Sequence, residues 1–411
     1  MFDFSTLCTR AGYTPADGEG TIPAIHPETT YKWSNPEDVA SLFELTKSGF
    51  FYSRIGNPTC DVLEKKISLL EDKTGNSRAV AVSSGQAAVL LSVLNLCNAG
   101  DNIVASSALY GGTVNLLSHT LKRFGITTKF VPQNSSFDTI ESLIDERTKV
   151  IYAESVSNPS CEVLNFASFA EAARKYGICF VVDNTLASPF GCNPFEHGAN
   201  VVVHSTTKYI EGHAASVGGV VVDNNTWSPS AERYPDWNEP DESYHGLLFN
   251  MDYAYSIKLR VCLLRDFGCT MAPQTAWQTI MGADTLDVRM SRVEENAATV
   301  VKYLRDNGYT VKYTDTDANR NYLKHHSGMI SLVLDTSDDA RKFLSKLNLV
   351  TQAVHVADLR SMALHPASAT HSQLSDEQLL NAGIEPGLVR ISIGIESIGD
   401  ILKDIEQALK N

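Results

Sequence analysis

Glycine fingerprints are missing from this chain: it contains neither G-x-G-x-x-G nor G-x-x-x-x-G-K-[ST], which argues against dinucleotide and ATP sites. No C-x-x-C pair occurs among its eight cysteines (Cys8, Cys60, Cys97, Cys161, Cys179, Cys192, Cys262 and Cys269), which are dispersed over 411 residues. Reduced, mostly buried thiols are therefore expected, not a disulfide framework. His204 and His213 stand nine positions apart, whereas a helical zinc pair needs i and i+4, so no metal site is expected. No apolar run approaches the roughly 20 residues that span a bilayer. The first residues, "MFDFSTLCTRAGYTPADGEG", lack a basic region followed by an apolar core, so a soluble, cytoplasmic protein without a membrane partner is expected. Basic charge is scarce as well: 34 Lys and Arg against 48 Asp and Glu leave −14. With no compact basic stripe, nucleic acid is not an expected partner.

What is present is a rhythm. From about residue 78, β-rich runs alternate with helical patterns: "RAVAVSSG" then "QAAVLLSVLNLCNAG", "NIVASS" then "GTVNLLSHTLKRFG", "KVIYAES" then "NFASFAEAARKYG", followed by "ICFVVDNT" and "NVVVHSTTK". Runs that are apolar on both faces and separated by helices predict an α/β fold with a mostly parallel sheet covered on two sides. The chain also exceeds the roughly 250–300 residues at which one core stops growing. The expected division is an N-terminal arm over 1–60 with a short helix near Val39 to Lys47, an α/β domain over 61–255, and a smaller C-terminal α/β domain over 256–411. Long helices are expected over "YSIKLRVCLLRDFG" and "DVRMSRVEENAATVVKYLRDNG", and strands in "GMISLVLD" and "GLVRISIGIE". The Pro- and acid-rich "NNTWSPSAERYPDWNEPDESYHG" reads as a long loop or insertion.

In such sheets ligands bind beyond the carboxyl ends of the strands. Ser83, Ser84, Gly85 and Gln86 lie between a strand and a helix, where free N–H groups either cradle a phosphate or make an ordinary turn. Tyr110 follows the next strand and either stacks on a planar ligand or packs. Asp183 ends an apolar strand and is a buried acid or a turn cap. Lys208 follows "VVVHSTT"; burial there makes its amine a nucleophile toward a carbonyl, and the alternative is a lysine that reaches solvent. One ligand uses all four positions together: pyridoxal 5′-phosphate (PLP), which needs a lysine, an acid at its ring nitrogen, a phosphate site and a face for the ring.

The stretch "VVDNTLASPFGCNPFEHGANVVVHSTTKYIEGHAASVGG" resembles the signature region of the PLP-dependent enzymes of cysteine and methionine metabolism, and the resemblance runs from about Leu7 to the C-terminus. It implies the aspartate aminotransferase-like fold type I, with PLP bound covalently to Lys208, Asp183 at the pyridinium nitrogen, Tyr110 on the ring, and Thr185 among the cofactor-binding residues. It further implies that Ser84, Gly85, Gln86, Ser205 and Thr207 meet the phosphate, with Tyr52 and Arg54 of "YSRIGNPT" reaching the phosphate of a neighbouring subunit. Asn158 is implied near the ring hydroxyl and substrate, Arg390 at the substrate carboxylate, and His355 beside the substrate. Lys208 and Tyr110 are the implied proton-transfer groups.

Within the family, "YSRIGNPT", "SSGQAA", "LYGGT" and "EPDESYHGL" resemble the O-acetylhomoserine sulfhydrylase branch. That branch implies replacement of acetate on O-acetylhomoserine by sulfide or a thiol, giving homocysteine or methionine, in a homotetramer whose dimers share active sites. Cystathionine γ-synthase and methionine γ-lyase or cystathionine lyase chemistry are the alternatives within the family, and a non-catalytic binding protein the alternative outside it. Two departures stand out. His355 and Ala357 of "HVADLRSM" occupy places where relatives commonly carry Asn or Ser, and Gly; Gly112 stands where methionine γ-lyases typically carry cysteine.

Overall fold

The structure, a computed structural model, describes every residue except Met1, His245, Gln373 and Asn411. Seven strands form the larger sheet: β1 Arg78–Val82, β2 Asn102–Ser106, β3 Thr127–Val131, β4 Thr148–Glu154, β5 Cys179–Asp183, β6 Val201–His204 and β7 Gly219–Asp223. Their order is β1-β7-β6-β5-β4-β2-β3. Strands β2 to β6 pair in parallel, whereas β7 runs antiparallel to both β1 and β6. The expected mostly parallel sheet is there, with one reversed strand that the sequence rhythm did not single out. Strands β2, β4, β6 and β7 are buried along their whole length. Each Val or Ile removed from water there contributes about 1.5–3 kcal/mol.

Apolar layers cover both faces. On one side Leu63, Phe169, Ala276 and Ile280 pack over Ala81, Ile151, Val182 and Val202; on the other Ala88, Leu91, Tyr255 and Leu259 pack over Val82, Val181, Val203 and Val221. Alternate residues of one strand therefore serve different layers, the period of two that a pleated strand imposes.

A second sheet of five short strands has the order β10-β11-β12-β9-β8, from β8 Thr310–Lys312, β9 Met329–Val333, β10 Thr351–Gln352, β11 Met362–Leu364 and β12 Leu388–Ser392. It is antiparallel except for β10 with β11. The two expected strands are β9 and β12. Of the expected helices, the second is the unbroken Leu286–Asp306, while the first is interrupted by a π-helical segment at Leu259–Leu264. In the arm, the helix Pro36–Phe43 begins under the Asn35 side chain, which accepts the Glu37 N–H. The Pro-rich loop is anchored by buried Tyr234 and Trp237.

Packing continues across residue 255. Tyr255, Leu259, Val261 and Leu264 belong to the larger sheet's core, as do Met271, Leu286 and Met290 on its other face. Farther along the same long helix, Val300, Val301 and Leu304 join the smaller core. We place the division inside Leu286–Asp306 and not at 255; the polar loop belongs to the larger domain, with Tyr234 and Trp237 in its core.

Candidate active site

Beyond the carboxyl ends of β1, β2, β4, β5 and β6, and closed by the smaller domain, lies a cavity of about 310 Å³. Twelve predicted residues line it: Ser84, Gly85, Gln86, Tyr110, Asn158, Asp183, Thr185, Ser205, Thr207, Lys208, His355 and Arg390. Tyr52 and Arg54 do not. The Arg54 guanidinium lies 5.2 Å over the Tyr52 ring and donates to the Arg265 carbonyl.

The cup at one end follows from local sequence. Ser84 caps the helix Gly85–Leu94, its hydroxyl accepting the Ala87 N–H at 3.1 Å, which leaves the first-turn N–H groups of Gly85 and Gln86 without intrahelical partners. Gly85 lets the helix approach the next wall: a Cβ there would stand 2.5 Å from the Ser205 Cβ. Gly219 does the same from β7, where a Cβ would stand 2.1 Å from the Ser84 carbonyl oxygen. Ser205 is fixed by its N–H, which donates to the Thr185 hydroxyl at 2.8 Å. The Thr207 hydroxyl is engaged with Gly218, donating to its carbonyl at 3.2 Å and accepting its N–H at 3.1 Å.

Asp183 is held in one orientation, its Oδ1 accepting the Thr185 N–H at 2.9 Å and the Thr185 hydroxyl at 2.5 Å. Removal from bulk water raises its carboxyl above the usual range, while the Thr185 bonds pull the other way. Across the strand pair it faces Glu154, which sequence reasoning missed although "KVIYAES" ends its strand in an acid as "ICFVVD" does. Glu154 lines the cavity and accepts the Tyr110 N–H at 2.6 Å; burial, with the Asp183 charge second, pushes it well above the carboxylate range. Thr113 and Thr370 also line the cavity unpredicted.

The Lys208 amine is pushed down to about 8, first by burial and then by the Arg390 charge. Arg390 is itself buried; its Nη1 donates to the Asn158 Oδ1 at 3.2 Å and its Nη2 to the Val354 carbonyl at 3.1 Å, while its Nε has no partner among the described residues. His355 Nδ1 lies 3.2 Å from the Lys208 Nζ. Ala357 takes the left-handed φ of +62°, the conformation that explains glycine at this place in relatives. At Gly112 a Cβ would stand 2.5 Å from the Tyr110 Cε1, so a cysteine there requires the Tyr110 ring to move.

The two histidines near the lysine are not brought together. His204 is buried and bonds to the Glu71 carboxylate, which also accepts from the Asn184 amide at 3.0 Å; His213 pairs with Glu211.

The sequence pattern of the Cys/Met metabolism PLP-dependent enzymes matches residues 5–410. This chain belongs to that family. It is 37% identical to the O-acetyl-L-homoserine sulfhydrylase of Leptospira meyeri, an alignment covering 100% of this chain and 97% of that protein. It is 38% identical to the homocysteine synthase of Schizosaccharomyces pombe, over 99% and 98%. A crystal structure from Campylobacter jejuni, described as an O-acetylhomoserine (thiol)-lyase and carrying a pyridoxyl-lysine phosphate, superposes with a TM-score of 0.95 at 36% identity, covering 100% of both chains. The fold is that of the fold type I PLP-dependent enzymes, and the family's cofactor is PLP. The donor set fits that cofactor: a glycine-opened helix N-terminus for a phosphate, an oriented carboxyl, an amine of lowered basicity, and a buried guanidinium edge for a carboxylate. Among the described residues no helix is long and apolar enough to cross a membrane.

Proposed function

We propose that the protein replaces the acetate of O-acetylhomoserine with sulfide or a small thiol, giving homocysteine or methionine, in the cytoplasm, as part of methionine and cysteine biosynthesis. The Cγ–O bond breaks with acetate leaving, a Cγ–S bond forms, and the proton of the thiol or hydrogen sulfide balances the acetate. The observation that carries the reading is the convergence on one cavity of the Lys208 amine, the Asp183 carboxyl and the Arg390 guanidinium. The relatives' names supply the substrate.

When bound, PLP supplies an electron-accepting ring conjugated to the substrate's amino group. Lys208 would hold its aldehyde carbon, and Gly85, Gln86, Ser205 and Thr207 would offer donors to its phosphate, with Ser84 capping the helix that starts at Gly85. Asp183, aligned by Thr185, would keep a proton on the ring nitrogen, and Tyr110 would cover one face. Arg390 pairs with the substrate carboxylate through its open Nε edge, while Asn158 fixes the guanidinium. Lys208, once free, moves the proton from the substrate Cα toward Cβ; a lowered pKa keeps more of it as free base near neutrality. The Tyr110 hydroxyl assists at the departing oxygen.

Lys208 and Arg390 are the lysine and arginine among the cavity's lining residues, so a phosphate dianion lacks a cation at the cup. We therefore assign Tyr52 and Arg54 to the phosphate of a neighbouring subunit, in a homotetramer of dimers that share active sites. The deciding experiment is product analysis. O-Acetylhomoserine and O-succinylhomoserine are each supplied with sulfide, then with cysteine, and methionine is given alone; homocysteine from the acetyl ester with sulfide is expected. Cystathionine as the main product, or 2-oxobutanoate from methionine alone, overturns the reading.

A further inference from the structure

The family resemblance leaves His355 as a departure beside the substrate, yet its imidazole meets the lysine. Nδ1 lies 3.2 Å from Lys208 Nζ and is the hydrogen-bond partner of that amine among the described residues. On the far side of the ring, Asp358 Oδ2 stands 3.7 Å from Nε2. That carboxylate is fully buried and pinned by Arg360, whose Nη1 lies 3.1 Å away. Nε2 makes no hydrogen bond among the described residues, and the charge of the acid on that side favours the tautomer with its proton there, which leaves the Nδ1 lone pair to accept from the lysine.

The two residues share one frame. The Gly212 N–H donates to the Lys208 carbonyl at 2.8 Å, the Leu359 N–H donates to the Gly212 carbonyl at 3.0 Å, and the Ile395 N–H donates to the Leu359 carbonyl at 2.9 Å. Between His355 and Leu359, Ala357 takes its left-handed turn with its N–H on the Ser392 hydroxyl at 2.8 Å. The turn after Lys208 and the segment carrying His355 are thus laced into one unit.

We propose that His355 is a positioning residue for Lys208: its Nδ1 holds one N–H of the amine, which turns the lone pair toward the cavity and gives the ammonium form its acceptor. Burial, with the Lys208 charge second, pushes the imidazole down to about 4, so it is uncharged at neutral pH and acts as an acceptor. Asn in this position offers an acceptor but Leu offers none. The proposal rests on Lys208 as the cofactor-anchoring lysine. The charged or titratable groups facing the pair are Arg390 from β12, Asp358 and Arg360 from the His355 segment, Asp183 and Glu154 from the larger sheet, and Tyr110.

The test uses the full chain freed of cofactor and follows capture of the PLP aldehyde spectroscopically, a step in which a C–N bond forms and water leaves. Only free-base lysine reacts, so the rate rises tenfold per pH unit and levels near pH 8 in the wild type. In His355→Leu the ammonium loses its acceptor while water stays excluded, so the midpoint falls by about one pH unit and the plateau rate falls about tenfold. His355→Asn keeps the wild-type midpoint. A His355→Leu profile that overlays the wild type, or a His355→Asn profile that shifts with it, overturns the proposal. Nitrogen NMR of the wild type gives a second reading that needs no stable variant: the His355 Nδ1 resonance follows the Lys208 titration, and a resonance flat through that range refutes the contact. Lys208→Ala separates the underlying assignment, since capture that persists without the lysine refutes that assignment whatever His355 does.

Discussion

Replacing Gly85 with alanine separates the stability of the fold from the shape of the phosphate cup. The new Cβ would stand 2.5 Å from the Ser205 Cβ, 2.9 Å from its Cα and 3.0 Å from its Oγ. Carbon atoms rest at about 3.5–4.0 Å, so the helix start and Ser205 must part by about 1 Å. Ser205 resists, because its N–H is tied to Thr185, and the helix end yields. Alanine is the better helix former, by roughly 0.8–1 kcal/mol in a helix interior, so propensity does not weaken the fold. Hydrogen bonds from the cup, in contrast, need donors within about 2.7–3.2 Å of the acceptor. Each bond to a charged acceptor contributes about 1.5–3 kcal/mol, and the loss of one weakens PLP binding by roughly 10- to 150-fold. The assay is titration of the cofactor-free Gly85→Ala protein with PLP, beside thermal unfolding of the same protein. Gly85→Ala/Ser205→Gly removes the clashing Cβ and recovers part of the affinity. Wild-type affinity in Gly85→Ala would refute the claim that the Gly85–Ser205 contact shapes the cup.

Other outcomes follow from the same geometry. Lys208→Ala loses turnover and the visible absorption of lysine-bound cofactor, and retention of both would remove the lysine from the mechanism. Arg390→Lys surrenders the planar edge beside Asn158, so KM for O-acetylhomoserine rises roughly 10- to 100-fold with kcat less affected, as steady-state kinetics will read. Glu71→Leu leaves buried His204 without its partner and destabilises the protein on the order of 3–5 kcal/mol, seen as a lower melting temperature. An alkylating reagent applied to the native protein modifies at most Cys262 and Cys269, because the other six thiols are buried; intact mass spectrometry reads the number, and eight additions appear after unfolding.

The site was legible where chemistry coincides with a strand end. Gly85, Tyr110, Asp183 and Lys208 each follow an apolar run, and a parallel sheet gathers such positions at one edge. Glu154 carries the same signal, an acid at the end of an apolar strand, but no local pattern reports that β4 lies beside β5 or that the Tyr110 N–H donates to this carboxylate. The reversed β7 was hidden because an antiparallel strand buried on both faces reads like its parallel neighbours. The contact between Lys208 and His355 joins residues 147 positions apart, and no local pattern reports which ring nitrogen faces the amine. The left-handed Ala357 was equally silent, since alanine carries none of the signal that glycine gives at such a turn.

The place of β7 also bears on how the protein is made. Strand β1, which leads into the cup, has β7 as its neighbour in the sheet, so Val82 waits for Gly219. At a synthesis rate of about 5–20 residues per second, the 137 positions between these partners take roughly 7–27 s to appear. Throughout that interval the nascent chain can assemble the parallel strands between them while β1, held by Glu64 of the preceding helix through the Ala81 N–H, has no sheet neighbour. Cofactor arriving early meets no formed cup, and the chain becomes able to retain it only after its second half has begun to emerge.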